Sequence, residues 1–341
     1  MKTFLNNLIS GAFSALLFSL TAFSGNAQEA VNEEKEVPTH TASQPSETAE
    51  SWLAKMSHAM KSLNYSISLV LLKPGLDAQP YLWLHGVEES GVEVEQLNLL
   101  NGPGREVVRI GNKVSYFEPN VPPYSLSSTI INGPFPNDFL RNPEKLKDAY
   151  DFFMIGRSRI AGRAAQQIRV LSKDRTRYGL NLWLDQNTGL LLKLNMFSLD
   201  SQLLEQIQVT GLNVTTSPDE FFSKIEDSML PEIVTYQSKK LRDSAWEINY
   251  LPVGMKVVKR DLHRLSGTGK TVEYIMLSDG LVDVSIYLQD FGNGQPIQNL
   301  VGTVQSDTLL TIQHGQLNIT VIGKIPAETA NRIANSIKRV N

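Results

Sequence analysis

From residue 150 to residue 214 the apolar positions pass from a spacing of three or four to strict alternation. Leu180, Leu182 and Leu184 share one face of an extended chain while Asn181 and Asp185 take the other, the period-two mark of a half-buried strand. Gln186 to Gly189 supplies turn chemistry and a Leu-rich run resumes at Leu190, so the two runs predict a hairpin. Ile168 and Val170 before it, with Ile207 and Val209 after it, extend the pattern to about four antiparallel strands. Upstream, the same alternation predicts strands over 65–71, 81–87, 92–100, 105–110 and 113–117, with Gly111-Asn112 as the turn between the last two. About nine strands with few helices predict an α+β chain whose front part is a large curved antiparallel sheet or open β-barrel with packed helices.

Three front helices or loops complete this part. Ser51 is placed as the N-cap of a short amphipathic helix carrying Trp52, Leu53, Met56, Met60 and Leu63. Residues 118–136 hold five prolines and predict a long irregular segment. Asn142-Pro143 is expected to open a second helix with Leu146, Tyr150 and Phe153 on one face.

A boundary follows. The pattern divides the chain into residues 1–27 as signal peptide, 28–50 as disordered leader, 51–216 as the curved-sheet domain, 217–245 as helix and linker, and 246–341 as a small α+β domain. Ser217-Pro218-Asp219-Glu220 reads as a capping box, and Pro231 ends the helix it starts. Strands are predicted over 255–262, 272–277, 281–288, 301–305, 308–313 and 317–322, with Asp279-Gly280 and His314-Gly315 as hairpin turns. Pro326 starts a last helix presenting Ala330, Ile333, Ala334 and Ile337.

The N-terminus has Lys2, an apolar core and small residues at Gly25 and Ala27, which predicts export with cleavage after Ala27 and a mature chain outside the cytoplasm. The leader holds six acids against one lysine, so the formal charge of −3 hides a nearly neutral body that gives no reason to expect nucleic acid. The absence of cysteine excludes disulfides, thiol nucleophiles, thiolate metal sites and a lipobox.

No catalytic motif stands out. His40, His58, His85, His263 and His314 make no local ligand pair and are expected at surfaces or turns, with no metal and no cofactor. Gly267-Thr268-Gly269-Lys270-Thr271 ends like a phosphate loop, but Arg264 stands where that motif requires glycine. No serine sits in a nucleophile elbow, so binding is favoured over an enzyme activity.

The charges are ordered instead. Arg157, Arg159, Arg163, Arg169, Lys173, Arg175 and Arg177 all occupy odd positions, and in an unbroken strand equal parity means one face. That face is either a solvated exterior or a docking surface for phosphate or carboxylate groups.

The chain resembles the RseB/MucB family of periplasmic regulators of the sigma-E envelope-stress response. The resemblance is carried by GPGREVVR (102–109), YFEP (116–119), YDFFMIGRSRIAGR (150–163), DRTRY (174–178) and WLD (183–185) in the front half. YLPVGM (250–255), SDG (278–280) and GKIPAETANRIANSIK (323–338) carry it in the rear half. Tyr250 and Met255 depart from the family's usual Trp and Phe. The resemblance implies a front domain similar to lipoprotein carriers and a smaller rear domain that contributes most to binding the periplasmic region of a membrane anti-sigma factor. It also implies protection of that factor from site-one proteolysis until an acylated lipid or lipoprotein releases it, and it leaves a homo-oligomer open. On this reading Tyr150, Phe153, Leu182, Leu184, Leu192 and Leu194 are the candidate acyl-chain contacts, and Arg157, Arg159 and Arg163 the head-group contacts. A periplasmic carrier or chaperone of lipoproteins or lipids is the alternative.

Overall fold

The computed structural model describes residues 47–234, 244–264, 271–292 and 298–340. The expectations for the signal peptide, the leader up to Ser46 and the Gly267 segment fall outside the described residues.

Eleven antiparallel strands form the first sheet. β1 (Asn64–Leu72), β2 (Gln79–Val87), β3 (Glu93–Leu99), β4 (Arg105–Ile110), β5 (Lys113–Phe117) and β6 (Tyr124–Ser127) run outward from its middle. The chain then crosses to the opposite edge and returns through β7 (Tyr150–Ile160), β8 (Arg163–Ser172), β9 (Gly179–Asp185), β10 (Leu191–Phe197) and β11 (Leu203–Thr215). The two meanders join where β11 pairs with β1, from Asn64↔Thr215 to Leu72↔Gln206. Strict alternation explains the curl: Tyr65, Ile67, Leu69 and Leu71 are buried on one side of β1, and Leu180, Leu182 and Leu184 continue that side across β9.

Helix α1 (Ala49–Ser62) lies against this apolar side, with Trp52, Leu53, Met56 and Met60 in the same buried cluster as Leu182, Leu184, Leu192 and Leu194. Its cap is Thr48 rather than Ser51. The Thr48 hydroxyl accepts from the Ser51 N–H at 3.1 Å and the Ser51 hydroxyl accepts from the Thr48 N–H at 3.0 Å, a reciprocal capping box three residues earlier than expected.

The second expected helix is corrected more deeply. Helix α2 (Asn137–Arg141) ends at Asn142 because the residue before a proline is driven out of the α region, and only a 3-10 turn (Pro143–Leu146) follows. Tyr150 and Phe153 therefore stand in β7, where the aromatic and branched run 152–155 favours an extended chain. The irregular segment 118–136 contains β6, and the strand total is eleven rather than about nine.

The second sheet has the order β13-β14-β15-β18-β17-β16, built from β13 (Lys256–Arg264), β14 (Thr271–Ser278), β15 (Asp283–Asp290), β16 (Leu300–Val304), β17 (Asp307–His314) and β18 (Leu317–Gly323). Ile275, Ile286, Val321 and Leu310 are register partners on one face, and helix α4 (Ala327–Asn335) covers that face with Ala330, Ile333 and Ala334. A two-stranded ribbon of β12 (Trp246–Ile248) and β19 (Ile337–Arg339) closes its end. In the chain after β11, short helix α3 (Glu220–Ser223) is capped by Asp219, not by Ser217, and packs Phe222 on Leu84 and Val94 of the first sheet.

Candidate functional site

Helix α1 and the sheet's own side chains fill part of the concave side of the first sheet, and the open space on that side lies against the second sheet. A cavity of about 760 Å³ is bounded by Phe135, Leu194 and Met196 of the first sheet's domain and by Met276, Leu281 and Ile322 of the second. Segment 128–138 forms one wall. It is held by the Asn137 side chain donating to the Ile131 carbonyl at 2.6 Å and by Phe135 packed on Trp83, ring centroids 4.8 Å apart. Glu205 and Lys324 stand at the cavity, and Lys324 donates to Glu205 at 2.8 Å while the Ser306 hydroxyl donates to the same carboxylate at 3.0 Å. The cavity thus has an apolar lining and a tied polar rim, and its two walls belong to different sheets.

A buried latch joins those sheets. The Arg177 guanidinium, fully enclosed, lies 3.2 Å from Asp279 Oδ2 and donates to the Tyr150 hydroxyl at 3.0 Å and to the Val253 carbonyl at 2.6 Å. Tyr150 in turn donates to Asp279 at 2.7 Å, and the Val253 N–H donates to Asp174 at 2.8 Å. Burial, and then the Asp279 charge, push the Tyr150 phenol far above its ordinary pKa against the pull of Arg177, so the phenol stays a donor. Burial raises the Asp174 carboxyl, but the Val253 and Thr176 hydrogen bonds and Arg177 outweigh it and hold it below the usual carboxylate value. Gly254, at φ +84°, brings the backbone so near Ala149 that an added Cβ would lie 2.5 Å from the Ala149 Cβ. Thr329 adds a hydrogen bond from α4 to the Thr176 carbonyl at 2.9 Å.

The residues singled out from the sequence separate. Of the six candidate acyl contacts only Leu194 lines the cavity. Leu182, Leu184 and Leu192 are fully buried beneath α1 and offer no surface to a ligand, Tyr150 belongs to the latch, and Phe153 stands on an outer cleft. The cation stripe also divides. A bulge between Met154 and Gly156 shifts the register, so Arg157 and Arg159 pair with Gln166 and Ala164 while Arg169 pairs with Phe153 and Asn181. Register partners share a face, which puts Arg157 and Arg159 on the opposite side from Arg169. Arg163 is tied to buried Asp185 at 2.8 Å, and Arg157 to Glu47 at 3.6 Å.

One histidine contradicts its expected place. His85 is buried, stacked on Tyr65 with centroids 4.8 Å apart, and joins Glu93 and Glu95 in a cluster whose ligand atoms lie within 4.8 Å of one another. That donor set does not fit a metal. Arg109 holds Glu93 at 2.5 Å and Glu95 at 2.9 Å, and Arg141 binds both carboxylates again, so two guanidiniums already neutralise two acids. Burial raises the Glu93 carboxyl, but hydrogen bonds from His85, Arg109 and Arg141 outweigh it and hold it well below the usual range. The cluster fastens α2 and β2 to β4, which is a structural role.

Comparison with known proteins completes the picture. Residues 48–234 match the MucB/RseB N-terminal domain and residues 240–338 match the MucB/RseB C-terminal domain. The chain belongs to the MucB/RseB family. It is 31% identical over 288 residues to the Sigma-E factor regulatory protein RseB of Salmonella typhimurium, covering 84% of this chain and 89% of that protein. It is 28% identical over 294 residues to the Sigma factor AlgU regulatory protein MucB of Pseudomonas aeruginosa, covering 85% and 90%. Among solved structures, the Pseudomonas aeruginosa MucA/MucB complex superposes with a TM-score of 0.71 at 26% identity, and MucB in complex with MucA(peri) with 0.68 at 27%, each covering 86% of this chain and 99% of theirs. A structure of MucB named without a partner gives 0.55 at 26% identity, covering 86% of this chain and 98% of that one. The names of these relatives describe regulatory binding and no catalytic activity. Among the described residues no helix is long and apolar enough to cross a membrane.

Proposed function

We propose that the chain is a negative regulator of sigma-E-type signalling in the periplasm. It binds the periplasmic region of a membrane anti-sigma factor, shields that region from site-one proteolysis, and releases it when an acylated lipid or lipoprotein binds. The observation that carries the reading is the difference between superpositions. At equal identity and coverage the chain is more similar to MucB in complex with MucA than to the MucB structure that names no partner. The scores differ although identity and coverage do not, which supports a partner-competent arrangement here.

The acyl tail takes the cavity between the sheets, against Leu194, Met196, Met276 and Ile322. A tail there touches both walls, so it binds one relative placement of the sheets better than another, and unequal affinity for two states is what ligand-driven release requires. The carrier alternative is weaker, because α1 takes part of the hollow of the curved sheet and the second sheet walls the rest.

Calorimetric titration of the mature chain with the purified periplasmic segment of the anti-sigma factor from the same organism tests this. A complex is expected, weakened about tenfold by a dipalmitoylated lipopeptide and not by the same peptide without acyl chains. Absence of a complex, or one indifferent to the lipopeptide, overturns the reading.

A further inference from the structure

We propose that the free edge of β7, together with the cleft beside it on the outer face of the first sheet, is a docking site for an extended, acidic and apolar peptide segment of a partner protein. This goes beyond the regulatory reading, since it names a surface of the first sheet and a recognition chemistry that hold whichever protein supplies the segment.

The two edges of the eleven-stranded sheet are treated differently. At β6 the edge is covered: Ile233 bridges Ser125 in parallel, the Val234 N–H donates to the Ser125 carbonyl at 2.8 Å, and the Ser125 hydroxyl donates to the Pro231 carbonyl at 2.6 Å. At the other edge β7 has β8 as its strand neighbour on one side and, among the described residues, no strand on the other. Exposed edges are ordinarily blunted by charges, prolines, bulges or brevity. β7 is eleven residues long, and ahead of its bulge at Ile155 the stretch from Phe152 to Met154 carries no charge and no proline, with Phe153 45% and Met154 38% exposed. Such an edge offers main-chain donors and acceptors to a twelfth strand.

The cleft supplies side-chain recognition. It has a volume of about 480 Å³ and runs across the outer face from Phe153 over Leu171 to Phe197 and Leu199. Arg169, Lys173 and Arg175 border it. Arg169 donates to the Asn181 side-chain carbonyl at 3.0 Å and Lys173 to the Lys147 carbonyl at 2.8 Å, both neutral acceptors. Among the described residues none of the three cations is in an ion pair, so their charge is uncompensated. Asp151 is the one acid in the lining. A peptide paired with β7 turns alternate side chains to the outer face, where an apolar one lies beside Phe153 and an acidic one meets the guanidinium of Arg169. A lipid would use the cleft alone and leave the unpaired edge unexplained, which is why the peptide is favoured.

Fluorescence anisotropy tests the site with a labelled ten-residue peptide in which every second residue, the set that shares one face, is alternately Glu and Phe, with Thr between them. Three changes are expected to weaken binding by roughly tenfold or more: Lys in place of the acids, N-methylation of alternate backbone nitrogens, and the double substitution Arg169→Glu with Lys173→Glu. The double variant, exposed and shown folded by circular dichroism, is expected to gain affinity for the Lys peptide. Equal binding of the N-methylated peptide, or indifference to charge reversal, overturns the proposal. So does saturation of the cleft by dodecyl phosphate without any binding of the acidic peptide. The anti-sigma titration described above is a separate readout, and either result can fail while the other stands.

Discussion

Replacing Arg177 by Met removes the guanidinium from the latch while keeping most of the apolar volume of the side chain. Asp279 is fully enclosed, and one of its oxygens already accepts from the Leu281 and Val282 N–H groups at 2.9 Å each. After Arg177→Met the other oxygen keeps only the Tyr150 hydroxyl, so the carboxylate is hydrogen-bonded but has lost its compensating charge. Breaking a buried ion pair on one side costs about 3–5 kcal/mol, and the three surviving hydrogen bonds place this case near 3 kcal/mol. Adding Asp279→Asn removes the stranded charge, and the double variant is expected to be less destabilised than the two single losses predict, with a coupling of about 1.5 kcal/mol or more.

The latch binds one sheet to the other, so the loss falls on their docking. Urea unfolding followed by tryptophan emission is the assay, with Trp52, Trp83 and Trp183 reporting the first sheet and its packed helix and Trp246 the ribbon of the second. The single variant is expected to split a joint transition into two, with the second sheet unfolding at lower urea. Loss of less than about 1 kcal/mol, or strict additivity with Asp279→Asn, would refute the claim that these groups act as one buried unit.

Gly254→Ala places a Cβ 2.5 Å from the Ala149 Cβ at a left-handed backbone position, and about 1–3 kcal/mol is expected to be lost from docking, read as a lowered melting temperature. Acid is expected to loosen the first sheet. Glu93, Asp174 and Asp185 are all held below their ordinary pKa, so each contributes stability that is fully present above the unfolded value of about 4 and is lost as pH falls through its folded value. Melting temperatures from pH 6 to pH 3 check this, and Glu93→Gln should flatten the decline.

Alternation made most of the sheets legible. β1, β2, β4 and β5 fall within two residues of their predicted bounds, because each buries one face and a slip of one residue would expose it. The cation stripe misled because parity survives only in unbroken strands, and a single extra residue at Ile155 reversed the face of Arg157 and Arg159. Tyr150 was read on a helix because the Leu146 to Phe153 spacing suits one, whereas Pro143 and the aromatic run after Asp151 decide for a strand. The latch left little trace in the local pattern. Asp279 lies 129 positions from Tyr150, and only its place beside a turn glycine marked it. His85 likewise gave no local sign of burial, since its partner Glu93 comes from β3, and the Arg109 and Arg141 that hold Glu93 come from β4 and α2.

The size of the latch also fixes what kind of ligand can work it. If release means moving the two sheets from a docked to an undocked placement, turning a 99:1 population into 1:99 needs about 5.5 kcal/mol of differential binding. A buried methylene contributes about 0.8 kcal/mol, so a tail must bury at least about seven methylenes in one placement and not in the other. A small anion at the rim, exchanging one exposed contact for another, falls well short of that. The regulatory reading therefore requires a long acyl chain between the sheets and predicts that head groups without tails leave the partner bound. Shortening the lipopeptide's chains step by step should abolish release abruptly near that length, and a response that persisted with acetyl groups would mean that the energy comes from somewhere other than the cavity.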